Sequence, residues 1–499
     1  AEDLVPVDVQ PTATRYRPRT EALFGRITRN HPASQAGWRA RDHSWIIESP
    51  EGTVSTFGTP RPAGAPNDWR DPAAIADPDD PTRVFAWKIT RTHDPFGNAI
   101  EYVYERDASR IDGPHRWDQL YLSEIRYADY GNAAAPSFLV AVRFTYAARP
   151  DPFSDYRAGF EIRTVRRCTR IDVETRPGGV ATPVRTYHLR YLDEIPNAAL
   201  PLDGTSLLAE IQVEGHDGTS SQSMPALSLR YARFEPENQR ARRVGGPDFP
   251  AGALVDPRYE LVDLFGSGLP DLVELNGTAR YWRNLGEGRF SLPREMHDAP
   301  AGIALAQPGV ALLDADGDGR LDLMVSGPSS GLGPGLGGYY PLRFDGTWDR
   351  RSFQRYRAAP TFALDDPEVR LVDLDGDGVT DALRSGSRLE CYFNDPIEGW
   401  GETRFVERER LPDFPNVNFA DPRVRLADMT GDGLQDIVVL HDRNVEYWPA
   451  LGRGAWGRRI AMTHAPALPW DYDPRRILLG DGDGDGFADL SYVGDGEVT

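Results

Sequence analysis

One nine-residue acidic pattern, recurring five times at intervals near 55 residues, constrains this chain more than any other feature of its sequence. The copies occupy 263–271, 314–322, 373–381, 428–436 and 481–489, so that their first residues lie 51, 59, 55 and 53 apart. Each follows a short apolar run that begins behind a proline (Pro257, Pro308, Pro367, Pro422, Pro474) and precedes a second apolar run. The unit therefore reads as strand, acidic loop, strand. In the first four units an aromatic strand comes next, at Tyr281-Trp282, Tyr339-Tyr340, Tyr392-Phe393 and Tyr447-Trp448. A glycine-containing turn and a fourth, aromatic-led run follow, clearest at 284–290 and 450–456. Four strands per repeat of this length predict a β-propeller blade, a small sheet that buries its faces only against its neighbours.

The loops follow D-x-D-x-D-G-x-x-D. Side chains at positions 1, 3, 5 and 9 and the backbone carbonyl at 7 can converge on one point, and glycine at 6 permits the bend. Hard oxygen ligands in that number suit Ca²⁺ rather than a transition metal. The second loop offers Asp314, Asp316, Asp318 and Asp322 with the carbonyl of Arg320. The third offers Asp373, Asp375, Asp377 and Asp381 with that of Val379, and the fifth Asp481, Asp483, Asp485 and Asp489 with that of Phe487. The fourth keeps Asp428, Asp432 and Asp436 with the carbonyl of Leu434, but has Thr430 at its third position. In the first, Phe265 and Ser267 replace the middle ligands between Asp263 and Asp271, so no metal is expected there. An EF-hand is excluded because no Glu stands at loop position 12 and the flanks read as strands. Three or four structural Ca²⁺ sites are the expectation, since unneutralised carboxylates about 4 Å apart repel. The competing reading of any one loop is a plain Asp/Gly turn held by Asx hydrogen bonds.

Ahead of the repeats, from Phe24 to about Phe234, apolar and polar residues alternate at period two in runs bounded by turn signals. Turns are legible at Ser49-Pro50-Glu51-Gly52 and at 94–98, where Pro presets φ and Gly or Asn supplies positive φ. The stretch 58–83 carries six prolines and little periodicity and reads as a long surface loop. A polar, turn-rich stretch at 235–252 separates the two regions. The fold expected is all-β: an antiparallel domain over 1–240, then a partial propeller of about five four-stranded blades over 250–499. Because a six- or seven-bladed ring of such units needs roughly 330–385 residues, the chain reads as a fragment with the ring unfinished.

The balance of 56 basic against 76 acidic residues, net −20, argues against a nucleic-acid partner. No apolar run approaches the roughly 18 residues of a membrane span. Cys168 and Cys391 lie too far apart in sequence, with no neighbouring ligands, for a zinc knuckle or disulfide framework. The formal GxGxxG at 333–338 sits between strand-like runs with no helix to follow, and reads as a hairpin tip. The Glu-x-Glu pairs Glu235/Glu237 and Glu407/Glu409 have the form of an ADP-ribosyltransferase acidic pair, but no Ser-Thr-Ser accompanies them and they read as solvated surface. The basic clusters at 240–243 and 350–357 also read as solvated faces.

The 87–104 segment, WKITRTHDPFGNAIEYVY, followed by the acidic repeats and by the Tyr-Trp and Asn-Leu-Gly-x-Gly-x-Phe stretch at 281–290, resembles the SpvB-like and middle regions of insecticidal toxin complex (Tc) B components. The repeats themselves are similar to FG-GAP/VCBS calcium loops. The resemblance implies a secreted virulence scaffold, in which the β domain contributes to a payload-enclosing shell completed by an Rhs-repeat C-type partner. It further implies that the propeller docks on, and gates, a pore-forming A-type component. On this reading the chain is not an enzyme. The alternative that the repeats alone equally support is a secreted, calcium-stabilised propeller adhesin or carbohydrate-binding module.

Overall fold

The computed structural model describes residues 4–18, 24–31, 42–66, 68–132, 135–232, 235, 244–250, 256–327, 337–407, 414–462, 464–482 and 484–494. The chain divides into two compact units, Ala1–Phe234 and Glu235–Thr499. Among the described residues no helix is long and apolar enough to cross a membrane.

The first unit is built on one 14-stranded sheet whose strands follow almost without exception in chain order, from Leu4–Val9 to Ser221–Ser223. Among the described residues its neighbouring strands pair antiparallel, as short turns between alternating runs require, and the longest are His115–Asn132 and Ala135–Asp155. Both anticipated turns form. Gly52 N donates to Ser49 O at 3.0 Å, and Asp94 Oδ1 accepts from Phe96 N and Asn98 N, both at 2.9 Å.

The sequence misleads at 58–83, which is not a surface loop throughout. Asp71 and the run Ala73–Asp77 are buried, and Ala74–Ala76 pairs with Val84–Trp87 in a separate two-stranded sheet. An irregular segment can go inside only if its backbone groups find partners, and here they do. Arg106 Nη2 donates to the carbonyls of Asp71 and Ala74, both at 2.6 Å, while Asp118 Oδ2 accepts from Ala76 N at 3.0 Å. Asp71 in turn takes the amides of Thr59 and Ala73 at 2.8 Å each. Ile75 then joins Leu120, Phe160 and Ile162 in the core cluster below the sheet. Prolines mask this because they erase periodicity without preventing burial.

In the second unit four sheets of four strands follow one another, each meandering in chain order. They begin at Tyr259–Val262, Val310–Leu313, Val369–Val372 and Val424–Ala427. The fifth repeat contributes a two-stranded hairpin, Ile477–Gly480 with Asp489–Tyr492, among the described residues, so the expectation of five four-stranded blades is corrected to four and a hairpin. The fourth strands are also displaced from where the sequence put them. The runs 284–290 and 450–456 are tight turns closed by the bridges Asn284↔Phe290 and Ala450↔Trp456, and the paired strands Arg294–Glu295 and Ile460–Ala461 come later. Phe290 and Trp456 are buried plugs rather than strand leaders.

Core clusters in this unit form between successive sheets. Val273 and Leu275 of the first sheet pack with Leu323, Val325 and Trp348 of the second; Val438 and Leu440 of the fourth pack with Ile477 of the hairpin. This is the propeller logic, in which sheets share cores pairwise; the first sheet's Leu272 and Trp282 are covered in addition by Phe249 and Phe290. Trp348, fully buried with Nε1 donating to Leu321 O at 3.0 Å, shows the scale: truncation of such a residue costs about 3–5 kcal/mol.

A buried histidine gives the first unit a pH limit. His43 is 1% exposed, and Arg29 Nε donates to its Nδ1 at 3.0 Å, which requires that nitrogen to be unprotonated. Burial, and after it the charge of Arg29, lower its pKa to about 4. The folded pKa lies below the unfolded one, so the stabilisation is whole above the unfolded value and is lost as pH falls toward the folded value. Between pH 7 and pH 5 the loss should be about 2 kcal/mol. Hydrogen-exchange protection factors of the strands Arg26–Asn30 and Ser44–Glu48, corrected for the intrinsic exchange rate at each pH, should fall over that range, and His43→Gln should flatten the dependence.

Candidate metal centres in the acidic loops

Each acidic loop connects the first two strands of its repeat, and its two outermost aspartates hold the backbone in place. The position 1 carboxylate closes the turn on itself. Asp314 accepts from Gly317 N and Gly319 N, both at 2.8 Å. Asp373 accepts from Gly376 N at 2.7 Å and Gly378 N at 3.0 Å, and Asp428 from Gly431 N and Gly433 N, both at 2.7 Å. Asp481 does the same with Gly484 N at 2.6 Å and Gly486 N at 3.1 Å. Asp263 follows suit at Ser267 N, 2.8 Å, and Gly268 N, 2.6 Å, so the turn does not depend on the middle carboxylates.

The position 9 aspartate reaches further. Asp322 Oδ2 accepts from Ala315 N at 3.1 Å and its Oδ1 from Leu342 N at 2.9 Å. Asp381 takes Leu374 N at 3.1 Å and Asn394 N at 2.8 Å; Asp436 takes Met429 N at 3.0 Å and Ala450 N at 2.8 Å. One side chain thus ties the second residue of the loop to the end of the third strand. These three carboxyls are at most 2% exposed, and burial, with neighbouring aspartates adding to it, pushes each up to about 8.

Successive loops also touch. Thr380 N donates to Asp314 O at 2.8 Å and Ala488 N to Asp428 O at 2.9 Å. Glycine stands at position 4 in all five copies, and in the second, third and fourth it faces the position 7 side chain of the next loop. A Cβ on Gly317 would stand 3.2 Å from Val379 Cγ2, and one on Gly431 3.2 Å from the Phe487 ring. Position 7 was expected to matter through its carbonyl alone. Val379 and Leu434 are buried as knobs between loops, and the invariant glycine was the available signal for this.

Three of the four side-chain candidates come together in each of two loops. Carboxylate oxygens of Asp314, Asp316 and Asp322 lie within 4.8 Å of one another, as do those of Asp373, Asp375 and Asp377. Asp318 stands outside the first group because it pairs with Arg320, the residue at position 7, whose guanidinium also covers the Phe344 ring at 4.2 Å. Asp381 stands outside the second; its two oxygens accept the amides of Leu374 and Asn394. In the fourth loop Asp432 Oδ1 accepts from Leu434 N at 2.9 Å and Thr430 is buried beside Asp428, with no third carboxylate in range. In the fifth, Asp483 lies outside the described residues; Asp485 Oδ1 accepts from Phe487 N at 2.8 Å and Asp489 Oδ2 from Gly482 N at 2.9 Å.

The second and third loops fit a hard divalent cation. Asp316 Oδ1 and Asp375 Oδ1, both at position 3, are buried without a hydrogen-bond partner. Burial, and then the charges of their neighbours, raise both carboxyls above the usual range. An unpaired buried carboxylate oxygen facing two others is a strong demand for positive charge. The first loop does not fit. Arg283 places Nε 3.2 Å from Asp271 Oδ1 and stacks on Phe265 at 4.0 Å, so a side chain already supplies the cation.

Of the remaining motifs, Glu237, Glu409, residues 240–243 and 333–336 of the GxGxxG stretch lie outside the described residues. Glu407 forms an ion pair with Arg388 at 3.6 Å. Arg343 and Arg351 bind Asp349, and Arg357 binds Glu398, so much of the 350–357 cluster is internally neutralised.

The family described as Salmonella virulence plasmid 65kDa B protein matches residues 7–129 and 115–173, and the FG-GAP-like repeat family matches 263–325. The chain is similar to the mono(ADP-ribosyl)transferase SpvB of Salmonella typhimurium, 26% identical over 196 residues, covering 32% of this chain and 31% of the relative. A chain of the Photorhabdus luminescens Tc holotoxin pore is similar over 99% of this chain and 24% of its own length, at 27% identity and a TM-score of 0.74. The chain is Tc/SpvB-like. A TcdB2-TccC3 complex shares the fold at 22% identity and a TM-score of 0.50, over 98% of this chain and 27% of that one. This chain therefore spans about a third of the SpvB relative and a quarter of the Tc chain.

The SpvB relatives correct one expectation. They are named for mono(ADP-ribosyl) transfer, so the reading of the chain as no enzyme does not stand. Their match lies in the N-terminal region, and the absence of transferase motifs from these residues is no ground for that reading.

Removing a position 9 carboxylate should cost far more than removing a middle one. Asp436→Ala leaves two amides buried without an acceptor, a loss of about 3 kcal/mol, whereas metal-free Asp377→Ala, at an exposed site, should lose about 1 kcal/mol or less. Urea unfolding of the two variants in chelator measures the difference.

Proposed function

We propose that this chain is the shell-and-propeller portion of a secreted Tc-like toxin component. Its first unit contributes wall to a payload-enclosing shell shared with an Rhs-repeat C-type partner; its second docks on and gates a pore-forming A-type component. The observation that carries the reading is the likeness to the Tc holotoxin chain across 99% of the sequence, both units included. A continuous sheet of 14 strands with many half-buried positions suits a wall. A row of sheets that bury their cores only against one another suits a docking platform, because its edges are held by neighbours rather than by a central hydrophobic mass.

Ca²⁺ is proposed as the structural cofactor of the second unit. Asp314, Asp316 and Asp322 would hold one ion and Asp373, Asp375 and Asp377 another, with the loops at 428 and 481 as weaker sites. Bound Ca²⁺ would supply positive charge to carboxylates that burial penalises. The protein's own part is to preorganise them through the turns closed by Asp314 and Asp373, so that the second unit is assembled before any partner arrives.

Two measurements test these readings separately. Size-exclusion chromatography of the full-length protein with an A-type component should give a joint peak that variants unfolding only the second unit abolish; independent elution would overturn the docking role. Calorimetry should show the second unit unfolding at higher temperature in calcium than in EDTA, by about 2.7 kcal/mol per site at a hundredfold excess over Kd. Identical transitions would overturn the metal reading.

A further inference from the structure

The first strands of the third and fourth sheets carry arginine at the same place in the repeat, three residues before the loop's first aspartate: Arg370 and Arg425. The other repeats have Glu260, Ala311 and Leu478 there, so the fold does not require a guanidinium at this position. Both arginines are half-buried and line one cavity of about 510 Å³ between the two sheets, together with Asp373 and Gln435.

Backbone carbonyls, not carboxylates, hold these side chains. Arg370 Nη1 donates to Pro367 O at 2.9 Å and Val369 O at 2.8 Å, and its Nη2 to Phe419 O. Arg425 Nη1 donates to Val424 O at 3.1 Å and its Nη2 to Pro474 O at 2.9 Å. Among the described residues neither guanidinium has an ion-pair partner, in a chain with a net charge of −20. The one carboxylate in the wall, Asp373, is committed to the amides of its own turn. Desolvation, and after it the charge of Arg425, lower the pKa of Arg370, the expected result of two cations placed side by side without an anion.

We propose that Arg370 and Arg425 form the cationic wall of a binding site for a small oxyanion, a phosphate or carboxylate group, in the cavity between the third and fourth sheets. Two guanidinium groups fixed by backbone carbonyls keep N–H donors for a ligand, since each carries five, and planar forks of this kind suit bidentate contact with phosphate or carboxylate oxygens. Orientation paid in advance is what turns a cationic patch into a site. The two guanidinium groups face a small open cleft, which favours a small anion over a folded surface. Gln435, also on the wall, brings a neutral amide to the site. Occupation of the site would join two sheets and so stabilise the second unit.

The test is calorimetric titration of the full chain in metal-free buffer, with chloride keeping ionic strength constant. The probes are inorganic phosphate, pyrophosphate and citrate, so that phosphate and carboxylate sources are read separately. One saturable site is expected for at least one probe, weakened at least about tenfold in Arg370→Gln and in Arg425→Gln and unchanged in Arg350→Gln. The Arg425→Lys variant, which keeps the charge and loses the fork, should bind at an intermediate strength. Absence of saturable binding to wild type at millimolar concentrations overturns the proposal. Equal binding by either folded glutamine variant overturns it as well, and if those variants fail to fold, undiminished binding by Arg425→Lys counts against it.

Discussion

A buried aspartate accepting two backbone amides is the interaction on which the second unit depends. Asp322, Asp381 and Asp436 each fasten the start of an acidic loop to the end of the third strand, across the sheet and nowhere near the chain neighbours of either amide. Without that carboxylate the loop and strand ends would each bury a donor with no acceptor. With it, the unit acquires a desolvated carboxyl whose pKa burial pushes up to about 8. That carboxyl holds together a loop whose other carboxylates, Asp316 and Asp375 above all, carry the demand for a cation. Fold and candidate site are therefore one construction.

The contact between loops extends the constraint from one sheet to the next. Glycine at position 4 of one loop and the side chain at position 7 of the following loop meet at van der Waals distance, and the amide at position 8 bonds back to the preceding loop. Sheets that share their cores pairwise are thus also joined at one end by a chain of turns. Divalent cations in two of these turns would act on the joints rather than on isolated surface sites, which is why metal, propeller assembly and docking belong to one account.

How much of this was legible in the sequence follows from what each residue does. Spacing and alternation expose strands, loops and repeat length, because those depend on local period and on turn chemistry. The repeated Asp at position 9 was visible too, but its amide partners Leu342, Asn394 and Ala450 lie 13 to 20 residues away with no shared residue type, so the fastening could not be read. Arg320 shows a similar limit: nothing in the pattern says that its side chain captures Asp318. The burial of 73–77 depends on Arg106 and Asp118 from distant strands, a relation that prolines conceal. The displaced fourth strands reflect an aromatic signal that marks a buried plug as readily as a strand.

Anomalous X-ray diffraction from crystals of the protein grown in calcium tests the account most directly, because it locates the ion rather than its consequences. Peaks are expected inside the 314–322 and 373–381 loops, within bonding distance of the position 3 carboxylates Asp316 and Asp375 respectively, and none at 263–271, where Arg283 takes the place of a cation. Empty density in both loops under millimolar calcium, or a peak in the first loop instead, would contradict it.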